Sequence, residues 1–319
     1  MTKKLIIDCD PGHDDAIALF LAFGDPAVEV AAVTTVRGNQ SIEHVANNAL
    51  ILCDIAEQHA IPVAAGAHRP LVHDPLPDLG IHGRTGLDGP DLPEPSRALD
   101  PRHAVQLMID TIMAAPAGEI TLVALGPLTN LALAVRLEPR IVERVAGVVT
   151  MGGGFHVGNR TPVAEFNVLS DPEAAHIVYE AGWPVTIIGL DVTNTTTASP
   201  DVLGRIEAID TPVARFVVEL LAFYAKSYEG YEGMAGAFTA PPVHDACAVA
   251  YAIAPELFDV VPAPVTVELT GSRTRGMTVA DLRAPAPEGC RTRIARSTDA
   301  RGVWGLIERA LASGGASAP

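Results

Sequence analysis

Along the chain, short apolar runs alternate with longer stretches of helical spacing, and turn residues separate the two. The first run, Leu5 to Ile7, stops at Asp8 and reads as a buried strand of a parallel sheet. Pro11-Gly12 breaks it with a turn, and Ala16, Ile17, Leu19, Phe20 and Leu21 continue as a largely apolar helix. Residues 28–35 predict a second strand that runs into the polar loop Val36-Arg37-Gly38-Asn39. Ser41 caps a helix to about His59, and residues 61–65 predict a third strand. This βαβαβ order predicts a right-handed, doubly wound parallel sheet. The rhythm resumes with a helix over 101–115, strands over 120–124, 145–151 and 185–190, and helices over 129–137, 212–229 and 241–254. Residues 256–296 predict several short strands, antiparallel and at the sheet's edge, before a terminal helix over 303–312. The fold class is therefore α/β: a doubly wound, mostly parallel central sheet flanked by helices, with a small antiparallel edge addition. One domain over 1–312 and a flexible tail over 313–319 are expected.

Residues 66–100 break the rhythm. Six prolines between Pro70 and Pro95 and glycines at 80, 83, 86 and 89 preclude a long helix. A loop of this length inside a compact domain is usually functional or disordered. It carries His73, Asp74, Asp78, His82, Arg84 and Asp88, and reads as a flap near a site; the alternative is an inert surface excursion.

The chemistry concentrates where the first strand ends. Asp8, Asp10, Asp14 and Asp15 fall within eight residues around the Pro-Gly turn. Open α/β sheets bind ligands at the carboxyl ends of their strands, which is where Asp10 lies. Packed carboxylates repel one another, and a helix N-terminus offsets only about 0.3–1 kcal/mol per charge. A cation is needed. Oxygen ligands without nearby Cys or clustered His favour calcium or magnesium over zinc. Further along, Gly152-Gly153-Gly154 after a strand permits close backbone approach to a ligand. Ser170-Asp171-Pro172-Glu173 reads as a capping box, which leaves Asn159, Glu165 and Asn167 unexplained by capping. Tyr224, Tyr228 and Tyr231 have near-helical spacing: Tyr224 reads as core, whereas Tyr228 and Tyr231 border a Gly-rich segment and can swing over a ligand. His244-Asp245 opens a helix and reads as capping unless it meets the Asp10 cluster in space.

Composition narrows the class. The chain has 319 residues, 48% hydrophobic and 19% charged, enough for a sizeable core. Its net charge of −16 argues against nucleic acid or an anionic membrane as a partner. Cys9, Cys53, Cys247 and Cys290 are widely spaced and read as reduced thiols of a cytoplasmic protein. The N-terminal apolar run is too short for a secretory signal, and no stretch approaches the ~20 apolar residues of a membrane helix.

Asp-Cys-Asp-Pro-Gly-His-Asp-Asp-Ala at 8–16 resembles the N-terminal motif of the inosine-uridine preferring nucleoside hydrolases. The resemblance extends through Arg37-Gly38-Asn39, Ile81-His82-Gly83-Arg84-Thr85-Gly86-Leu87, Leu125-Gly126-Pro127-Leu128-Thr129-Asn130, Met151-Gly152-Gly153, Glu165-Phe166-Asn167 and Val243-His244-Asp245. It implies a calcium-dependent N-ribohydrolase that splits a ribonucleoside into ribose and base. By the same resemblance, Asp10, Asp15 and Asp245 bind calcium through side chains and Leu125 through its carbonyl. Asp14, Asn39, Asn159, Glu165 and Asn167 hold ribose hydroxyls, Met151 lines the sugar pocket, and His82 and His244 lie near the base. The family also implies a homotetramer or dimer and a role in nucleoside salvage.

The residue chemistry agrees. Base departure develops an oxocarbenium-like cation that ringed carboxylates stabilise. Calcium lowers the pKa of a water, and Asp10 takes its proton, with no covalent ribosyl-enzyme. His244 is the expected acid for the leaving base, with a pKa near working pH; Tyr228 and Tyr231 are expected base contacts. Trp183 and Trp304 lie outside the candidate loops, which argues against a purine-specific tryptophan sandwich. Broad inosine/uridine activity and pyrimidine-restricted activity both stay open. Two rivals come from other classes. A phosphatase of the haloacid-dehalogenase type also begins with strand–Asp-x-Asp, but Gly12 stands where it needs Thr or Val. A non-catalytic calcium- or ribose-binding protein would share the same residues without turnover.

Overall fold

The computed structural model describes residues 2–77, 80–229 and 240–314. The strands are β1 (Lys3–Cys9), β2 (Val28–Thr35), β3 (Val63–Ala65), β4 (Ile120–Ala124), β5 (Gly147–Met151), β6 (Val185–Ile188), β7 (Phe258–Pro262), β8 (Val265–Val267), β9 (Thr278–Ala280) and β10 (Thr292–Thr298). The first six helices are α1 (His13–Gly24), α2 (Ile42–Ile55), α3 (Ala104–Ala114), α4 (Thr129–Leu137), α5 (Phe166–Ser170) and α6 (Pro172–Tyr179). They are followed by α7 (Leu190–Thr193), α8 (Pro200–Glu207), α9 (Pro212–Glu229), α10 (His244–Ile253) and α11 (Ala300–Ala312).

Eight strands form one sheet in the order β3-β2-β1-β4-β5-β6-β10-β7. Every pairing is parallel except that of β10 with β7. Strand order reverses between β1 and β4, so the carboxyl ends of these two strands form the crevice where such sheets take ligands. The expectation for residues 256–296 is met by β7, an antiparallel edge strand, and corrected elsewhere. β10 lies inside the sheet, parallel to β6 with Arg293 opposite Thr186. β8 and β9 form a separate antiparallel pair that packs against α6. None of the described helices is long and apolar enough to cross a membrane.

The sheet is covered on both faces. Alternation along β1 sends Leu5, Ile7 and Cys9 to a core shared with α1, α9, α10 and α11. It sends Ile6 to the opposite core, shared with α3, α4 and α6. Asp8 points with Ile6, away from α1. Its Oδ1 accepts hydrogen bonds from Thr34 Oγ1 (2.6 Å) and Asn130 Nδ2 (2.8 Å). Asn130 also donates to the Thr35 carbonyl and accepts from the Ala67 amide. One buried side chain thus ties the ends of β1 and β2 to the loop after β3.

Some boundaries shift for identifiable reasons. Ser41 caps α2 as expected, but the helix ends at Ile55, ahead of Glu57 with φ +56°. The helix expected from residue 101 starts at Ala104, with His103 as its N-cap. At residues 170–173 the cap is Asp171, which accepts from the Ala174 amide, because α5 already occupies Ser170. Asp171 further accepts from Thr129 Oγ1 and the Leu71 amide, and Glu173 pairs with Arg275. At the C-terminus, Ser313 Oγ still donates to the Gly24 carbonyl, so Ser313 packs against α1.

Candidate active site

The crevice at β1 and β4 holds one cavity, and almost every residue singled out from the sequence reaches it. Asp10, Asp14, Asn39, His82, Leu125, Met151, Asn159, Glu165, Asn167, Tyr228, His244 and Asp245 line it. Asp15 lies beneath its floor, fully buried. Tyr231 lies outside the described residues. His73, by contrast, pairs with Glu173 on the surface, and Asp88 folds back on Thr85 and the Arg84 amide. Among the described residues, the long loop contributes only Ile81 and His82 to the cavity wall.

The floor is built by β1 and the first turn of α1. Asp15 Oδ1 accepts the Asp10 amide (3.2 Å), and its Oδ2 accepts the Gly12 amide (2.9 Å) and Asn39 Nδ2 (3.3 Å). Asp10 Oδ2 accepts the Asn39 amide at 2.6 Å. A Cβ on Gly38 would stand 2.0 Å from Asp10 Oδ2, and one on Gly126 would stand 2.4 Å from its Oδ1. Both neighbours must therefore be glycine for this carboxylate to keep its place. Gly38→Ala is expected to leave the protein folded by circular dichroism while lowering kcat by about 10²-fold, the scale of a misplacement near 1 Å. Unchanged kcat would show that Asp10 has room to move.

Helix α10 brings its first turn to the same floor, so the His244-Asp245 pair meets the acid cluster. Ligand oxygens of Asp14, Asp15 and Asp245 lie within 4.8 Å of one another, an arrangement able to hold a metal ion. Burial pushes Asp14 up to about 7, reinforced by Asp15 and opposed by the amides of His244 and Asp245. Burial, then the charge of Asp15, holds Asp10 well above the usual carboxylate range. Asp245 is raised likewise, by burial and then by Asp14 and Asp15. No lysine or arginine among the described residues forms an ion pair with these four acids. An all-oxygen donor set of crowded, uncompensated carboxylates fits a hard divalent cation.

The wall opposite is set by β5 and α5. Glu165 is the N-cap of α5: its carboxylate accepts the amides of Gly153 (2.9 Å), Asn167 (2.8 Å) and Val168 (3.1 Å). Burial nevertheless raises it to about 7. Asn167 Nδ2 donates to the carbonyls of Leu125 (2.6 Å) and Met151 (3.2 Å), and Asn159 Oδ1 accepts the Phe166 amide. One acid, Glu165, and two side-chain amides, Asn159 and Asn167, thus line the cavity from this wall in fixed positions.

The rim is aromatic. His13 is fully buried and stacks on Phe223 and Tyr224 at interplanar angles of 3° and 4°. Its Nε2 lies 2.8 Å from the Asp88 carbonyl and its Nδ1 lies 3.1 Å from His82 Nδ1, which docks the long loop on α1. Tyr224 is core, as expected, and also lines the cavity. Arg160, which the sequence reading passed over, lies over the Phe166 ring and donates to the Pro77 carbonyl. Its only sequence signal was its place beside Asn159. His244 departs from expectation in one respect: burial lowers its pKa to about 4, so the ring is neutral near pH 7.

The comparisons with known proteins bear on the whole chain. The family model described as inosine-uridine preferring nucleoside hydrolase matches residues 5–305. The chain belongs to that family. It is 50% identical over 312 residues to an inosine-uridine preferring nucleoside hydrolase of Leishmania major, covering 98% of each chain. It is 49% identical, with the same coverage, to its counterpart in Crithidia fasciculata. Among solved structures, a purine-preferring ribonucleoside hydrolase from Gardnerella vaginalis superposes with a TM-score of 0.91 at 30% identity, over 99% of this chain and 100% of that one. As a nucleoside hydrolase, the protein splits ribonucleosides into ribose and free base. The cavity at the carboxyl end of β1 and β4 has an acidic floor able to hold a metal ion.

Proposed function

We propose that the protein is a calcium-dependent ribonucleoside hydrolase of broad inosine and uridine activity. The reading is carried by one observation: an acidic, cation-fitting floor and a wall of Glu165, Asn39, Asn159 and Asn167 share a single cavity. Asp10, Asp15 and Asp245 would hold the ion together with the Leu125 carbonyl. Calcium, when bound there, would supply the positive charge that lowers the pKa of a water. Asp10 stands as the base for the water that attacks the anomeric carbon directly. Asp14, Asn39, Asn159, Glu165 and Asn167 hold the hydroxyls, and Met151 packs against the sugar. The oxocarbenium-like charge develops between Asp10, Asp14 and Glu165, whose carboxylates are fixed before the reaction begins. His82, His244 and Tyr228 face the base, with His244 offering a hydrogen bond to the departing ring. Free thiols at Cys9, Cys53, Cys247 and Cys290 support a cytoplasmic setting, and the family resemblance supports a homotetramer or dimer.

The test is to strip the protein with a chelator and follow base release from inosine, uridine and cytidine, with and without added calcium. Turnover restored by calcium on inosine and uridine is the expected result. Restoration on uridine and cytidine alone would replace broad activity by a pyrimidine-restricted one. Calcium binding without base release would turn the reading to a binding protein, and absence of calcium binding would overturn the metal assignment.

A further inference from the structure

Thr193 closes α7 and is fully buried. Among the described residues it makes no hydrogen bond to a cavity-lining carboxylate, and the expected chemistry assigns it nothing. Its Oγ1 lies 2.7 Å from Nδ1 of His244, and this is the hydroxyl's one hydrogen bond among the described residues. A hydroxyl at the end of a helix ordinarily has a second choice, the carbonyl four residues back. That carbonyl, Gly189, already accepts the amides of Val192 and Thr193. If the hydroxyl accepted a proton from Nδ1–H, its own O–H would be left buried without an acceptor, the costlier of the two defects. If it donates to a bare Nδ1, only spare lone pairs go unused. The second arrangement requires the proton of the neutral imidazole to sit on Nε2. That nitrogen faces Tyr228, whose hydroxyl is 3.5 Å away, at the cavity wall.

From this geometry we infer that Thr193 is a positioning residue that fixes His244 as its Nε2–H tautomer, so that a hydrogen-bond donor is turned toward the nucleobase. The inference rests on the reading of His244 as the group facing the base. The elements around the pair hold it in register. The Val243 amide donates to the Thr196 carbonyl and Thr197 bridges to Pro242, so the segment after α7 clamps the start of α10. A ring held in the other tautomer would present a lone pair to the acceptor atoms of a departing base and repel them. Bases that leave as poor anions depend on that donor; a leaving group stable as an anion does not.

The experiment compares inosine with p-nitrophenyl β-D-ribofuranoside, whose phenolate leaves without help from an acid. In Thr193→Val, of nearly the same shape, the ratio of kcat on inosine to kcat on the p-nitrophenyl riboside is expected to fall about tenfold or more. Thr193→Ser, which keeps the hydroxyl, is expected to restore it. An unchanged ratio would overturn the inference, as would an equal fall on both substrates, which marks a merely structural role. Nitrogen-15 spectra of the histidine-labelled wild-type protein decide the matter without any variant: His244 is expected to show a protonated Nε2 and a bare Nδ1. The reverse pattern, or two protonated nitrogens, would sink it. Absence of turnover on both substrates in wild type would instead count against the hydrolase reading, and the spectra would still report on Thr193.

Discussion

Asp10→Ala is expected to lower kcat on inosine by about 10²- to 10⁴-fold, the range for loss of a positioned base, in a protein that still folds. The carboxylate is buried at the end of β1, and its neighbours at Gly38 and Gly126 leave no space for another group to move in. Its removal also relieves a Coulombic burden, because burial and Asp15 both disfavour its charged form. The melting temperature should therefore hold or rise while turnover collapses, an opposition between stability and activity that marks a functional group. Steady-state kinetics beside thermal melts check both halves. Near-wild-type kcat, or a protein that no longer folds, would count against the role of Asp10.

The second large effect concerns pH. Asp8, Asp14 and Glu165 each sit at about 7 in the fold, in every case chiefly through burial. Unfolded, they titrate near 3.9 to 4.3. Between about pH 4 and 7 the folded chain therefore binds more protons than the unfolded one, and stability falls as pH rises through that window. Above about pH 7 the loss is complete. The three groups act in the same direction, so their effects on stability add. A chelated sample should melt highest near pH 5 and lowest near pH 8. Calcium should raise the melting temperature most at pH 8, where the floor carboxylates are ionised. Asp8 lies on the far face of the sheet, so part of the decline should survive saturation with calcium. Melts across pH 5–8 with chelator or calcium test this; a chelated protein that gains stability toward pH 8 would contradict the assignment of these buried acids.

How much of this was legible in the chain depends on distance along it. The β1–turn–α1 unit was readable because its apolar run, its Pro-Gly break and its acids are contiguous. The separation of Asp8 from its three neighbours was also readable in principle: period-two alternation along β1 puts it with Ile6, on the face away from α1. Its proximity to the other acids in sequence concealed that. Local pattern carries nothing about which strands become neighbours, so β10 inside the sheet was not foreseen. The same applies to Tyr224, whose spacing marks it as core without saying that His13 and the long loop share that core. The displaced cap at Asp171 followed from a five-residue helix too short to leave a periodic signal. The motifs that gather at the cavity were recoverable chiefly through resemblance, since Asn159, Glu165 and Asn167 lie far along the chain from Asp10.

All twelve residues of α1 are buried, and a Cβ on Gly24, at its end, would press within 2.3 Å of the Ala310 carbonyl. The helix that carries Asp14 and Asp15 is thus a beam set into the interior, held at one end by the reacting centre and at the other by α11. Of the groups proposed to face the base, His82 and Tyr228 hang instead from the long loop after β3 and from α9, and His244 opens the buried α10. Selection acting on the two halves meets opposite resistance. A change of preferred base can accumulate through loop and rim substitutions that leave the interior alone, whereas the ribose-cleaving half is carried on a helix whose apolar residues are locked into the interior. Descendants of such a scaffold should therefore diversify in what they release and stay uniform in the bond they break.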